Sequence, residues 1–167
     1  MFYNDPWPHY VTDNYFDRVL FEHCSWFAHH IPCDPGKREQ VYIRPNEGNG
    51  KMIADAFVKH CSSMGMVFDP TKHNIQVEFN VCGVGYDYNI IHTDAVNKIF
   101  STVVYLSENG HGTPLYQSND IHSLAKTVEW KPNRALSFLR SDHSWHDFGC
   151  GDYNEPRRTL TLVVVAK

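Results

Sequence analysis

The chain has 167 residues, 42% hydrophobic and 14% aromatic, which fits one domain with a buried core and excludes an intrinsically disordered protein. Lysine and arginine number 15 against 19 aspartates and glutamates, and the signs are mixed along the chain, for a net charge of −4. A protein that binds nucleic-acid phosphates needs a basic surface. The composition therefore argues against a nucleic-acid partner and leaves the oligomeric state open.

Cysteine usage and the N-terminus bear on the cellular compartment. No Cys-x-x-Cys pair indicates structural zinc, and the five cysteines are predicted to be reduced and mostly buried: Cys24, Cys33, Cys61, Cys82 and Cys150. The N-terminus lacks a basic region followed by an apolar run, and no segment approaches the about 18 apolar residues that suggest a membrane span. We therefore expect a cytoplasmic protein without a membrane partner.

Helical periodicity is confined to the first part of the chain. Asp13–His30 places apolar residues at helical spacing, with Asp13 as the predicted N-cap. The stretch Ile31–Asn49, rich in Pro and Gly, predicts a loop with one short strand at Gln40–Arg44. A second helix is predicted over Lys51–Met64, because its apolar residues recur three or four apart and Gly65 follows where a helix commonly ends.

From Asn74 onward the pattern changes to short β-rich runs separated by turn residues. About eight strands are predicted there: Ile75–Cys82, Tyr86–His92, Phe100–Ser107, Thr113–Gln117, Lys126–Trp130, Arg134–Leu139, His146–Gly149 and Thr159–Ala166. This spacing favours a sandwich or barrel of antiparallel strands with the helices packed on its outside. We predict a mainly β single domain over 1–167, with a helical support region over 1–72 and the β core over 73–167.

The triplet His92-Thr93-Asp94, at the end of a predicted strand, carries two metal-binding side chains. Residues two apart on a strand share a face, so both side chains can reach one ion. The triplet alone is weak support for a metal site, because the chain contains 11 histidines. A third ligand from Ser141–Asp147, either His143 or His146, would complete the two-histidine, one-carboxylate site typical of non-haem Fe(II) oxygenases.

The order and spacing of these residues resemble those of the Fe(II)/2-oxoglutarate-dependent dioxygenases, which carry His-x-Asp, a later His and then Arg-x-Ser. In this chain His92-x-Asp94 is followed by 51 intervening residues, His146, ten intervening residues and Arg157-x-Thr159. Because His143 fits this spacing less well, the resemblance favours His146 as the third ligand. His143 is then assigned to a loop or to the substrate mouth.

The resemblance implies a double-stranded β-helix, the jelly-roll or cupin-like fold, and a set of site residues. His92, Asp94 and His146 would be the metal-binding and catalytic residues, and Arg157 and Thr159 would bind the distal carboxylate of 2-oxoglutarate. The implied reaction converts 2-oxoglutarate to succinate and CO2 while O2 hydroxylates a substrate, with ascorbate as a candidate reductant. In the prolyl-hydroxylase-like branch the substrate is a peptidyl prolyl side chain, and a free amino acid is the other expectation.

Two further segments resemble that branch. Pro6–Val11 is similar to its opening segment, and Ser101–Gly110 is similar to the strand after its His-x-Asp motif, whose tyrosine often touches 2-oxoglutarate. Tyr105 is thus a further candidate ligand of the cosubstrate, ranked after Arg157 and Thr159. The alternative is that Tyr105 is a buried core residue whose hydroxyl is hydrogen-bonded. Asn80, Tyr86 and Tyr88 are candidates to line the substrate pocket.

The residues themselves support a carboxylate anchor on the last strand. Arg157 and Thr159 are two apart and share a face, and a guanidinium beside a hydroxyl suits a dicarboxylate tail. A register slip of one residue would exchange Arg157 with Arg158, because every side chain would change face. Two rival functions also stay open: a cupin-like metal-binding module without 2-oxoglutarate, and a catalytically silent ligand-binding domain of the same fold.

Overall fold

The computed structural model describes residues 1–86, 90–148 and 154–167 of the chain. Within these ranges the chain forms nine strands and two helices: β1 (Phe2–Tyr3), β2 (His9–Thr12), α1 (Arg18–His29), β3 (Arg38–Ile43), α2 (Gly48–Ser63), β4 (His73–Cys82), β5 (Lys98–Tyr105), β6 (Thr113–Tyr116), β7 (Leu124–Val128), β8 (Ala135–Leu139) and β9 (Arg157–Ala166). Neither helix has the length and apolar composition that a bilayer-spanning segment requires.

Seven strands form one large antiparallel sheet in the order β1-β2-β8-β5-β9-β4-β3. The two long strands β4 and β9 pair over their full length of ten residues each. Side chains alternate between the faces of a strand, so Val77 and Phe79 of β4 lie on the face opposite to Glu78 and Asn80. The apolar face of the sheet is buried, and the other face carries the polar residues that reach the site.

The two helices pack on the apolar face of this sheet. Phe57 of α2, which is fully buried, shares a core cluster with Phe79 of β4 and Leu160 of β9. Because one face of each helix and one face of the sheet are apolar, burying them against each other removes both from water. This confirms the prediction of helices packed outside a mainly β fold.

The first helix begins five residues later than the predicted cap at Asp13, and that prediction is wrong. Asn14 adopts a left-handed conformation with φ of 52°, which a continuous right-handed helix does not allow. Asp17 is the N-cap instead, and its carboxylate accepts a hydrogen bond of 2.9 Å from the Leu20 amide. Asp13 forms ion pairs of 2.8 and 2.6 Å with Lys131 and Arg134.

A smaller antiparallel sheet contains β6 and β7 and is extended by single bridges that link Leu115 to His146 and His146 to His92. The predicted strands Tyr86–His92 and His146–Gly149 are therefore wrong as continuous strands among the described residues, since His92 and His146 form only isolated bridges. Residues 87–89 and Gly149 lie outside the described ranges. One hydrogen-bonded pair is nevertheless enough to hold these two segments side by side.

Residues 1–72 supply three strands of the large sheet in addition to both helices. The structure pairs β2 with β8 and β3 with β4, so the N-terminal region is part of the sheet at both of its ends. Strands β1 and β2 were missed, since no strand was predicted before Gln40. The boundary at 72/73 stays a prediction.

The described cysteines are free thiols, as predicted: Cys24, Cys33, Cys61 and Cys82. Burial raises the pKa of the Cys24 and Cys61 thiols to about 12, so both are neutral at physiological pH. Cys150 lies outside the described residues.

Candidate metal centre and cosubstrate cavity

Three potential metal ligands lie close together around the bridge that pairs His92 with His146. His92, Asp94 and His146 each offer one ligand atom, and these atoms all lie within 4.8 Å of one another. His146 and Asp94 are each only 8% exposed. Two imidazoles and one carboxylate on one side of an ion leave coordination positions open for other ligands.

The backbone bridge between the two histidines fixes their relative position. The His92 amide donates to the His146 carbonyl at 3.0 Å, and the His146 amide donates to the His92 carbonyl at 2.9 Å. In such a hydrogen-bonded antiparallel pair the two side chains project from the same face. The ring centroids are therefore only 4.5 Å apart.

Backbone carbonyls also set the tautomer of both rings. The Nδ1 atom of His92 is 2.9 Å from the Ile90 carbonyl oxygen, and Nδ1 of His146 is 2.8 Å from the Ser144 carbonyl oxygen. A carbonyl only accepts, so each Nδ1 carries the proton and each lone pair lies on Nε2. This is the outer-shell arrangement found around metal-binding histidines.

The third potential ligand, Asp94, is held at both carboxylate oxygens. Lys98 Nζ lies 2.6 Å from Oδ1 and Ser101 Oγ donates to Oδ2 at 2.5 Å. Burial of the carboxyl group opposes ionisation, but the charge of Lys98, the electrostatic interaction with the neighbouring His146 ring and the two hydrogen bonds outweigh it and lower its pKa. Asp94 is therefore the ionised carboxylate that a divalent cation requires.

Burial also affects His146. It lowers the pKa of this imidazole to about 4, and the neighbouring His92 lowers it further. A neutral imidazole is the form that binds metal, so His146 needs no deprotonation at physiological pH.

The triad lines a cavity of about 360 Å³ that also contains Arg157 and Thr159. Arg157 is 4% exposed, and its contacts are long: Nε donates to the His111 carbonyl at 3.3 Å and Nη2 to Thr113 Oγ1 at 3.5 Å. It forms no ion pair with any residue that the structure describes. A buried cation without an anion is costly, so this guanidinium is suited to an anionic ligand.

Tyr105 lies behind this anchor and does not line the cavity among the described residues. It is fully buried, donates to Thr113 Oγ1 at 2.8 Å and stacks on Trp130 with ring centroids 4.4 Å apart. Its hydroxyl thus holds the threonine that Arg157 contacts. A direct contact between Tyr105 and the cosubstrate stays a prediction.

No protein-family model and no curated protein matches the sequence, whereas several solved structures match the fold. The chain is similar to viral collagen prolyl hydroxylase from Paramecium bursaria Chlorella virus-1 in its 2OG complex. The TM-score is 0.70 at 15% identity, over 95% of this chain and 96% of that chain. A prolyl-4-hydroxylase from Pseudomonas putida gives a TM-score of 0.66 at 14% identity, over 95% and 92% of the two chains.

A third structure is an oxidoreductase of the 2OG-Fe(II) oxygenase family from Burkholderia pseudomallei. Its TM-score is 0.64 at 12% identity, over 94% of this chain and 84% of that chain. The chain has the fold of these oxygenases. The predicted double-stranded β-helix is thereby confirmed, and at such identities the likeness establishes the fold alone.

The structure places the alternative site residues at different positions. His146 joins His92 and Asp94, whereas His143 is exposed and lies outside the group. Arg157 faces the cavity, whereas Arg158 points toward α1, where its Nε donates to the Ala28 carbonyl at 3.2 Å.

The residues that were candidates to line the substrate pocket differ in their positions. Asn80 lines the cavity, and Tyr86 is not among the described lining residues. Tyr88 lies outside the described residues. The backbone carbonyl of Trp145, the residue before His146, accepts a hydrogen bond of 3.2 Å from the Trp7 indole.

Three residues that support the site were not predicted from the sequence: Lys98 and Ser101 beside Asp94, and Thr113 beside Arg157. Ser101 could have been predicted, because it lies on the same face of β5 as Val103 and Tyr105. No pattern indicated Lys98, whose ion pair depends on how the loop before β5 turns. Thr113 could be found only through its contact with Arg157.

Proposed function

We propose that the protein is an Fe(II)- and 2-oxoglutarate-dependent oxygenase. In the overall reaction 2-oxoglutarate, O2 and a substrate C–H bond give succinate, CO2 and a hydroxylated substrate. The observation that carries the proposal is the position of Arg157, which is buried and forms no ion pair with a described residue, in the same small cavity as the His92, Asp94 and His146 triad.

The donor set fits Fe(II). Two Nε2 lone pairs and one ionised carboxylate converge on one point, which is the facial arrangement that non-haem Fe(II) oxygenases use. Iron bound there would supply the redox chemistry that couples decarboxylation of the cosubstrate to oxygen insertion. The protein's own part is to hold three ligands on one side of the ion and to keep the opposite side accessible from the cavity.

Arg157 and Thr159 fit the distal carboxylate of 2-oxoglutarate. A guanidinium presents paired N–H donors that match a carboxylate, and a nearby hydroxyl can add a third hydrogen bond. Thr159 is 1% exposed and lines the cavity beside Arg157. In this arrangement Tyr105 keeps Thr113 in place behind the anchor, and its own contact with the cosubstrate is part of the proposal.

For the substrate we propose a peptidyl or a free amino-acid side chain. Two of the similar structures are prolyl hydroxylases, which supports a substrate of this chemical kind. O2 and, as a reductant that keeps the iron in the Fe(II) state, ascorbate complete the proposed set of reactants. We propose a cytoplasmic protein that acts on small molecules or peptides and not on nucleic acid.

The two rival functions are less well supported by the site. A cupin-like metal module without 2-oxoglutarate has no need of a buried arginine in its cavity, and a silent domain has no need of a complete metal triad. Both features are present here.

The test is anaerobic reconstitution with Fe(II) and 2-oxoglutarate, followed by O2. We expect succinate to form only when iron, 2-oxoglutarate and O2 are all present, and mass spectrometry to find a product that has gained one oxygen atom. Metal binding without any 2-oxoglutarate binding would favour the cupin-like module, and failure to bind either would favour the silent domain.

A further inference from the structure

A second group of polar side chains faces the same cavity from strands β3 and β4. We call Arg38, Gln40, Glu78 and Asn80 the β3–β4 wall; all four line the cavity that contains the metal candidate and Arg157. Arg38 and Glu78 alternate with Val41 and Phe79, which pack on the helix side, so their inward position follows from strand geometry.

Arg38 is held mainly by a neutral partner. Its Nε and Nη2 both donate to Asn80 Oδ1, at 3.2 and 2.6 Å, and the guanidinium carbon lies 4.8 Å from the centre of the Phe148 ring. The only anion near it in the described chain is Glu78, at 3.5 Å from Nη2. Nη1 donates no hydrogen bond to any described residue, and the side chain is 26% exposed.

Glu78 is the complementary charge of the wall. Its side chain is 14% exposed, and Oε1 accepts a hydrogen bond of 2.5 Å from Gln40 Nε2 in addition to the long contact with Arg38. The wall therefore presents one cation and one anion side by side, each held in place by a neutral amide.

The proposed cosubstrate cannot satisfy Arg38. In the proposed complex one carboxylate of 2-oxoglutarate would bind Arg157 and the other would bind the metal, so neither is left for Arg38. Arg38 is in the same row of the sheet as Arg157 but two strands away, a separation of about 10 Å. The anion that fits Arg38 must therefore come from the substrate.

We propose that the β3–β4 wall binds the substrate as a zwitterion, and that the substrate class is the free α-amino acid. The α-carboxylate accepts from Arg38, the α-ammonium donates to Glu78, and the side chain is left to extend toward the metal. This proposal rests on the proposed oxygenase function, which makes the cavity the active site. A residue inside a peptide has neither charge and would leave Arg38 and Glu78 with only their long 3.5 Å contact to each other as a charged interaction in the described chain.

The size of the cavity favours the same class. Its volume of about 360 Å³ is at the lower end of the range of about 300–1,000 Å³ for ligand pockets, and the cosubstrate must share it. A compact substrate fits beside 2-oxoglutarate, whereas a longer ligand would have to remain mostly outside.

The experiment is calorimetric titration of the protein with pools of the free coded L-amino acids, with and without Co(II) and 2-oxoglutarate. The amino acid that binds is then compared with its N-acetyl derivative and its carboxamide. We expect each blocked derivative to bind about 10- to 150-fold more weakly, because each loses one charge-assisted contact.

Wall variants make the assignment specific. Arg38→Gln should abolish the preference for carboxylate over carboxamide and keep the preference for a free amine, and Glu78→Gln should do the reverse. A purely structural role would not produce this crossed pattern. Arg38→Lys, which keeps the charge, should retain the carboxylate preference, and it serves as the test if Arg38→Gln does not fold. The controls Arg44→Gln and Glu47→Gln, on an exposed ion pair, should keep both preferences.

The two proposals fail in different ways. Succinate formation with peptides, together with equal binding of free and blocked amino acids, would overturn the zwitterion site and leave the oxygenase standing. Arg38-dependent amino-acid binding in a protein that binds neither Co(II) nor 2-oxoglutarate would support the zwitterion site and overturn the oxygenase.

Discussion

Arg157 allows an unusual prediction: replacing a buried residue should stabilise the metal-free protein. The guanidinium is 4% exposed and has two neutral hydrogen-bond acceptors at 3.3 and 3.5 Å, with no ion pair among the described residues. Methionine has a similar length, no charge and a flexible chain that fills irregular space. We therefore expect Arg157→Met to unfold at a higher temperature than the wild type when no ligand is present.

The magnitude follows from the cost of burying charge. Replacement of buried ionic groups by apolar residues of similar size is neutral or stabilising by about 1–4 kcal/mol. Loss of the two long hydrogen bonds and of the contacts of the guanidinium with the Tyr105, Trp130 and Phe148 rings subtracts about 1–2 kcal/mol. The middle of these ranges leaves a net gain of about 1 kcal/mol, which for a chain of this size corresponds to a rise of about 2–4 °C. Most buried substitutions act in the opposite direction.

Differential scanning calorimetry with and without Co(II) and 2-oxoglutarate measures both effects. At 2-oxoglutarate one hundredfold above its Kd the wild type should gain about 2.7 kcal/mol, and Arg157→Met should gain far less. The control Arg158→Met loses the 3.2 Å contact with the Ala28 carbonyl and should be destabilised, yet keep the stabilisation by ligand. Refutation would be an Arg157→Met protein that is destabilised like the control and still stabilised by 2-oxoglutarate.

Further variants test the metal ligands and the acid response. Asp94→Ala and His146→Ala should each lose Co(II) binding by calorimetry, because two ligands do not complete the site, whereas His143→Ala should retain it; the reverse result for the two histidines would make the assignment wrong. Burial lowers the pKa of His60 to about 4, below its unfolded value, so its contribution to stability is present above about pH 6.5 and is lost as the pH falls toward 4. Between pH 7 and pH 5 the free energy of unfolding of His60→Gln, measured by denaturant titration, should therefore fall by about 1–2 kcal/mol less than that of the wild type. An equal fall in both proteins would contradict the assignment.

The parts of the site that could be predicted from sequence depend on local geometry. Arg157 and Thr159 face the cavity because alternation along β9 puts every second side chain on one face, and the same rule places Asn80 there. The grouping of His92 with Asp94 was predicted for a partly wrong reason. His92 lies in an isolated bridge and Asp94 follows it outside any strand, but an extended chain still brings both side chains toward one point.

The parts that could not be predicted depend on contacts between distant segments. The residues alone left His143 and His146 open, and His146 was favoured only by the spacing of the resemblance. The bridge that brings His146 beside His92 joins positions 54 apart in the chain, with no periodic signal between them. Strand β2 has only four residues and follows two prolines, and it is stabilised by pairing with β8. Local propensity is weak in such short segments, and tertiary pairing decides their conformation.

The charges that line the cavity connect the metal, the cosubstrate and the proposed substrate. Among the described lining residues three are cationic and three are anionic: Arg38, Lys98, Arg157, Glu78, Asp94 and Asp147. Fe(II) and the dianion of 2-oxoglutarate also cancel, so the loaded cavity would remain electrically balanced. A substrate of zero net charge preserves this balance, whereas an added anion or cation would be desolvated without a counter-charge. A zwitterion is neutral overall and still supplies a partner to both Arg38 and Glu78, which a neutral, non-ionic substrate cannot do.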